Sequence, residues 1–134
     1  EIHKIYHAVV QGKIPLAGCW NNPIDQKTAK TIFKVVEQTP SLINEFVSLL
    51  QIRLETGRTH QIRIHASQAG CPIVGDRMYA DKTRKGKGML LCATGLSFKH
   101  PVSGAPMTFE IPVPPKFFRV LESEQKMFNK HLKV

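Results

Sequence analysis

The chain has 134 residues, of which 42% are apolar and 22% charged, enough to bury a real core and too ordered in composition for a disordered tail. Nineteen Lys and Arg against ten Asp and Glu leave a net charge of +9, which favours a polyanionic partner such as a nucleic acid. No apolar run is long enough to span a bilayer as a helix. Three widely spaced cysteines, Cys19, Cys71 and Cys92, make neither a disulfide framework nor a metal knuckle, so a reducing, cytoplasmic setting is expected. No charged-then-apolar leader is visible, and the first residue is Glu1 rather than Met, so the chain is expected to be processed, trimmed or cut from something longer.

Residues 2–10 alternate and carry β-branched and aromatic side chains, which predicts a strand. Residues 11–27 hold Gly12, Pro15, Gly18, Asn21, Asn22 and Pro23 and are expected to be a long turn-rich connection. The stretch 28–38 leans to strand through its β-branched content, with Thr39-Pro40-Ser41 closing it. A stronger strand follows at 46–55, with Val47, Leu49 and Gln51 on one face.

A Thr-Gly-Arg turn then leads into a short helix over 59–68, with Thr59 as N-cap and Gly70 as stop. Residues 71–80 are expected to be mostly loop, and 81–88 a hydrophilic basic loop that touches phosphate or is simply solvated. Strands are predicted at 90–98 and 107–111, and an amphipathic helix from Lys116 to the end, with Phe117, Phe118, Leu121, Met127, Phe128 and Leu132 near helical spacing. Strands with two interspersed helices give an α+β fold built on a mixed, mostly antiparallel sheet.

The chemistry is concentrated in 53–79. Arg53, Arg58 and Arg63 with His60 and His65 place five nitrogen-rich side chains within thirteen residues. His60 and Arg63, three apart, share a helix face, and Arg58 precedes a helix N-terminus, where anions are favoured. Three solvated surface arginines are the competing reading. The spacing of five between His60 and His65 does not align two imidazoles for zinc, and no acid completes such a site. A Cys71–His65 pair is a weak nucleophile candidate. Asp occurs only as Asp25, Asp76 and Asp81, and Gly75-Asp76 either makes a turn or pairs with a neighbouring Arg.

The unbroken run Thr-Gly-Arg-Thr-His-Gln-Ile-Arg-Ile-His at 56–65 resembles motif III of the RluA-type RNA pseudouridine synthases. So do Pro-Ile-Val-Gly-Asp at 72–76 with Tyr79, Leu91-Cys92-Ala93, Leu96-Ser97-Phe98 with His100-Pro101, Lys4-Ile5-Tyr6, and Pro112, Pro114 and Phe117-Phe118. The matches run in family order from about residue 4 to residue 118.

The resemblance implies an isomerase that needs neither cofactor nor metal. It flips a uridine out of structured RNA (rRNA or tRNA), detaches the base, and rejoins it through C5. It assigns Tyr6 to the tyrosine that stacks on the target base and assists proton removal, and Arg63 to the arginine that pairs with the catalytic aspartate. Leu91 takes the place of the apolar residue lining the uracil pocket, and Lys4, Arg58 and His60 are candidates for the RNA-facing rim. As residues of apolar strands, Tyr6 and Leu91 would be core side chains in any protein.

Two departures stand out. Cys92 replaces a common histidine, and the family's His-Arg-Leu-Asp motif, which carries the nucleophile and lies upstream of Lys-x-Tyr, is not in the 134 residues. The chain is therefore expected to be the C-terminal portion of a single catalytic domain, residues 1–134, inactive alone. Exposed sheet edges are expected to pair with another copy or with the rest of a longer protein. Neither a membrane nor DNA is expected as a partner. The alternative function is a non-catalytic RNA-binding or assembly module derived from the same fold. A basic protein-interaction domain is a further one, and it predicts no salt-dependent RNA binding.

Overall fold

The computed structural model describes residues 2–80 and 88–132. The element order is β1 (His3–Gln11), β2 (Ala17–Trp20), β3 (Thr31–Ser41), β4 (Glu45–Leu54), α1 (Gln61–Gln68), β5 (Leu91–Lys99), β6 (Pro106–Glu110) and α2 (Pro115–Leu132). The six strands form one sheet in the order β2-β3-β4-β1-β5-β6, antiparallel at every pairing among the described residues. The α+β expectation holds, and the first strand of the chain sits inside the sheet between β4 and β5. The basic loop read at 81–88 lies, but for Gly88, outside the described residues. No helix among the described residues is long and apolar enough to cross a membrane.

Alternation along the strands divides the core in two. Ala8, Val10, Leu50, Ile52 and Phe33 point to one side of the sheet and pack with Ile62 and Ala66 of α1 and with Ile73. Val9, Val47 and Leu49 point to the other, against Phe117, Val120 and Leu121 of α2. With period-2 strands, one run of apolar residues in β1 can thus serve both layers. In α2 the buried residues Phe117, Val120, Leu121 and Glu124 fall at helical spacing, and Pro115 occupies the opening of the helix, where a missing N–H costs nothing. The buried Glu124 accepts a hydrogen bond from Ser41 of β3.

Three expectations need correction. The connection 11–27 contains a strand, β2, paired with Thr31, Ile32, Phe33 and Lys34. Gly18, read as a turn residue, is there for close approach. A Cβ at that position would lie 2.7 Å from Cζ of Phe33, whose ring packs against Trp20 with centroids 4.5 Å apart.

β3 also continues through Pro40 to Ser41 instead of stopping near Gln38. β2 pairs only with the first part of β3, and a proline is tolerated on an edge without a neighbour. Lastly, α1 starts at Gln61, with no cap from Thr59. Its N-cap position is His60, in the left-handed region at φ 54°, with no side-chain capping bond. The stop at Gly70 is as expected. Its N–H donates to Ser67 O and that of Cys71 to Ala66 O, the double bond pattern that closes helix ends.

Candidate active site

The expected site residues fall into three places. Tyr6 and Lys4 line a cavity of about 600 Å³ on the α1 side of the sheet, together with Ala93, Leu96, Phe109 and Ile111. Tyr6 is half-buried and packs against the α1-side core. Its register places it opposite Ala93, while Ile5 lies opposite Gly95. One step on β1 thus spans two on β5, and the extra residue is Thr94. Such bulges re-aim side chains beside functional sites. Thr94 Oγ1 lies 2.7 Å from Nδ1 of His7.

Leu91 sits opposite Ala8 on the same sheet face and packs against the same core, but it does not line the cavity.

Arg63 and His60 lie in a second cluster. Arg63 donates from Nε to Oδ2 and from Nη2 to Oδ1 of Asp76, both at 2.9 Å, a two-pronged match of guanidinium to carboxylate. The Asp76 side chain is fully buried and that of Arg63 is 17% exposed. Burial pushes the Asp76 carboxyl up. The Arg63 bonds and the N–H groups of Tyr79 and Met78 more than offset this and hold it below the usual range. In return, the Asp76 hydrogen bond raises the Arg63 guanidinium further above its ordinary value. The Tyr79 ring lies over the guanidinium, 5.1 Å from centroid to Cζ, and its hydroxyl is 3.1 Å from Nδ1 of His60. Of the two readings of Gly75-Asp76, both are realised, since Asp76 pairs with an arginine and also accepts the turn N–H groups.

Arg58 stands apart. Its Nε donates to Thr28 O at 2.8 Å, which ties the turn before α1 to the segment leading into β3.

Beneath this turn runs a buried polar chain that the sequence reading missed. Thr56 donates to Gln61 Oε1, and Gln61 Nε2 donates to Thr31 Oγ1 at 3.0 Å. Thr31 Oγ1 is 2.8 Å from His65 Nδ1, and His65 Nε2 is 2.8 Å from the carbonyl oxygen of Asn22. A carbonyl can only accept, so Nε2 carries a hydrogen, and in the neutral ring Nδ1 accepts from Thr31. Every donor in the chain then points the same way. Gln61 and His65, four apart, share the buried face of α1 with Ile62 and Ala66, and that spacing was the available signal. His65 is therefore committed to structure. Cys71 is too, since its thiol donates to Lys13 O and burial raises its pKa, which leaves it inert as a nucleophile.

The site thus sets a tyrosine-lined cavity and a carboxylate-gripped arginine, the latter in a Thr-Gly-Arg-Thr-His-Gln-Ile-Arg-Ile-His segment, on an antiparallel sheet flanked by one helix on each face. The family model described as RNA pseudouridylate synthase matches residues 1–68, and the chain belongs to that family.

The ribosomal large subunit pseudouridine synthase D of Salmonella typhimurium is 31% identical over 154 residues, covering 98% of this chain and 47% of the relative. An uncharacterized RNA pseudouridine synthase of Mycoplasma genitalium is 38% identical over 119 residues, covering 81% of this chain and 37% of the relative. Among solved structures, human RNA pseudouridylate synthase domain containing 1 superposes with a TM-score of 0.71 at 25% identity, covering 87% of this chain and 57% of that one. The chain thus spans about half the length of the curated relatives it matches.

Proposed function

We propose that the protein carrying this chain is an RNA pseudouridine synthase acting on a uridine of ribosomal or transfer RNA in the cytoplasm, and that residues 1–134 are the C-terminal portion of its catalytic domain. The reaction breaks the C1′–N1 glycosidic bond and makes a C1′–C5 bond. The C5 hydrogen leaves as a proton and N1 gains one, so no oxidant, metal or cofactor is needed. Tyr6 stacks on the flipped base in the cavity it lines, and Leu91 backs that pocket. Arg63, gripped by Asp76, offers its remaining donors to the nucleophilic aspartate, which this reading requires from outside the 134 residues. Lys4, Arg58 and His60 meet the RNA backbone.

The arrangement around Arg63 carries the reading. A guanidinium with a sealed carboxylate on one side is a fixed, directional donor, suited to orienting one acceptor. Support for the wider assignment comes from the family membership and from the net charge of +9. The open β6 edge, with Phe109 and Ile111 exposed, is where the rest of the longer protein packs.

Release of tritium from RNA labelled at uridine C5 tests the proposal, comparing this chain with the protein expressed from its full reading frame. Release is expected from the latter and none from the former. Failure of the full protein on every structured RNA offered, with RNA binding intact, overturns the enzyme in favour of a binding or assembly module.

A further inference from the structure

Asp76 does more than neutralise Arg63. Its Oδ1 also accepts the N–H groups of Met78 at 3.0 Å and Tyr79 at 3.1 Å, so one carboxylate both grips the guanidinium and folds the chain back over it. Tyr79 is fixed at four points. Its N–H is on Asp76, its carbonyl accepts from Ser67 of α1 at 2.9 Å, its hydroxyl meets His60 Nδ1, and its ring covers Arg63. His60 reaches the hydroxyl from a left-handed backbone conformation (φ 54°), which a non-glycine residue adopts at a cost.

The two bonds to Asp76 use Nε and Nη2 of Arg63, and among the described residues Nη1 has no partner. The ion pair is neutral overall and so attracts phosphate weakly at a distance. What it offers is direction.

We infer that Tyr79 is a positioning residue of this site: its ring, clamped by Asp76, Ser67 and His60, locks the Arg63 guanidinium in one orientation so that the Nη1 edge presents donors to a single carboxylate or phosphate acceptor. The inference rests on the proposed function for the identity of the reaction, though not for the clamp itself.

The test uses the protein expressed from its full reading frame, with two readouts: tritium release for kcat and KM, and the Arg63 Nε–H signal in ¹⁵N-arginine NMR. Tyr79→Leu is expected to lower kcat by about 10- to 100-fold, as loss of orientation does, with KM unchanged. In the same variant the Arg63 Nε proton exchanges faster with solvent. Tyr79→Phe keeps the ring and is expected to rescue most of kcat and the slow exchange.

Unchanged Arg63 exchange in Tyr79→Leu overturns the inference, and so does a raised KM with kcat intact, which would place the ring on RNA. Equal losses in Tyr79→Phe and Tyr79→Leu overturn it too, and if Tyr79→Leu does not fold, a loss in Tyr79→Phe alone does so. A wild-type protein that releases no tritium, yet shows the expected change in Arg63 exchange, refutes the proposed reaction and leaves the clamp standing.

Discussion

Thr31 and His65, 34 residues apart, meet through a buried 2.8 Å hydrogen bond that joins the first residue of β3 to the middle of α1. Thr31 Oγ1 is also the acceptor for Gln61, so a single hydroxyl serves two otherwise sealed side chains of the helix. Thr31→Val keeps the shape and removes both services. Leaving a buried polar group unpaired costs about 1–3 kcal/mol; His65 Nδ1 loses its partner while Gln61 Nε2 keeps Lys30 O, so a loss of roughly 1–3 kcal/mol is expected in chemical denaturation. Thr31→Ser, which keeps the hydroxyl, is expected to stay within about 1 kcal/mol of wild type. A Thr31→Val protein as stable as the parent would mean the polar chain does not hold α1 in place.

His7 sets a second expectation. Burial lowers its pKa most. Glu110 works against this and Lys34 adds to it, while Nδ1 is bonded to Thr94. A histidine depressed in the folded state favours the neutral ring there, so the unfolded chain takes up protons first as pH falls. The stabilisation it gives is complete above about pH 6.5 and is lost as pH falls towards the lower, folded value. Thermal melts over pH 5–8 should show this slope, and His7→Gln should flatten it. A slope unaltered in His7→Gln assigns it to other groups.

Close packing at the β2 edge gives a third. Because the Phe33 ring is 3% exposed and held against Trp20, it cannot swing away from a Cβ at position 18. Gly18→Ala is expected to cost about 1–3 kcal/mol through overpacking. Phe33→Leu should relieve part of that in the double mutant, giving a non-additive cycle. Strict additivity would show that the two positions do not touch in solution.

The RNA-facing role proposed for Lys4 and Arg58 predicts a particular loss. Lys4 is exposed on β1, and Arg58 has only its Nε committed to Thr28 O among the described residues. Replacing either with Ala should weaken RNA binding across sequences and reduce the slope of log affinity against log salt by about one. An unchanged slope in both variants would remove these residues from the RNA contact surface.

Legibility in the sequence followed the range of the signal. β1, β4, β5, β6 and α2 announce themselves through local periodicity, since each buries a face that repeats every two residues or at helical spacing. β2 did not, because Gly18 has the same composition signal whether it makes a turn or admits a neighbour's ring. The start of α1 was misplaced for a related reason. Thr59 has the chemistry of a cap, but the Gln61 N–H it would accept already donates to Arg58 O at 3.1 Å, and the chain enters the helix through His60 instead. Pairing of Asp76 with an arginine could be read as one of two options because the partners are thirteen residues apart. The chain from Thr56 to Asn22 could not, because it exists only once β3 and α1 have been brought together.

The placement of β1 between β4 and β5 also bears on how the chain is made. His7 and Thr94, which touch across β1 and β5, are 87 residues apart. At about 5–20 residues per second, ribosomes deliver the second on the order of ten seconds after the first. During that interval β1 can pair with β4, but its other edge, and the side of the cavity that Tyr6 shares with Ala93 and Leu96, must wait. The cavity is thus completed well after the Arg63–Asp76 pair, and a nascent chain halted before β5 emerges would hold that pair without the wall that Ala93 and Leu96 give the Tyr6 cavity.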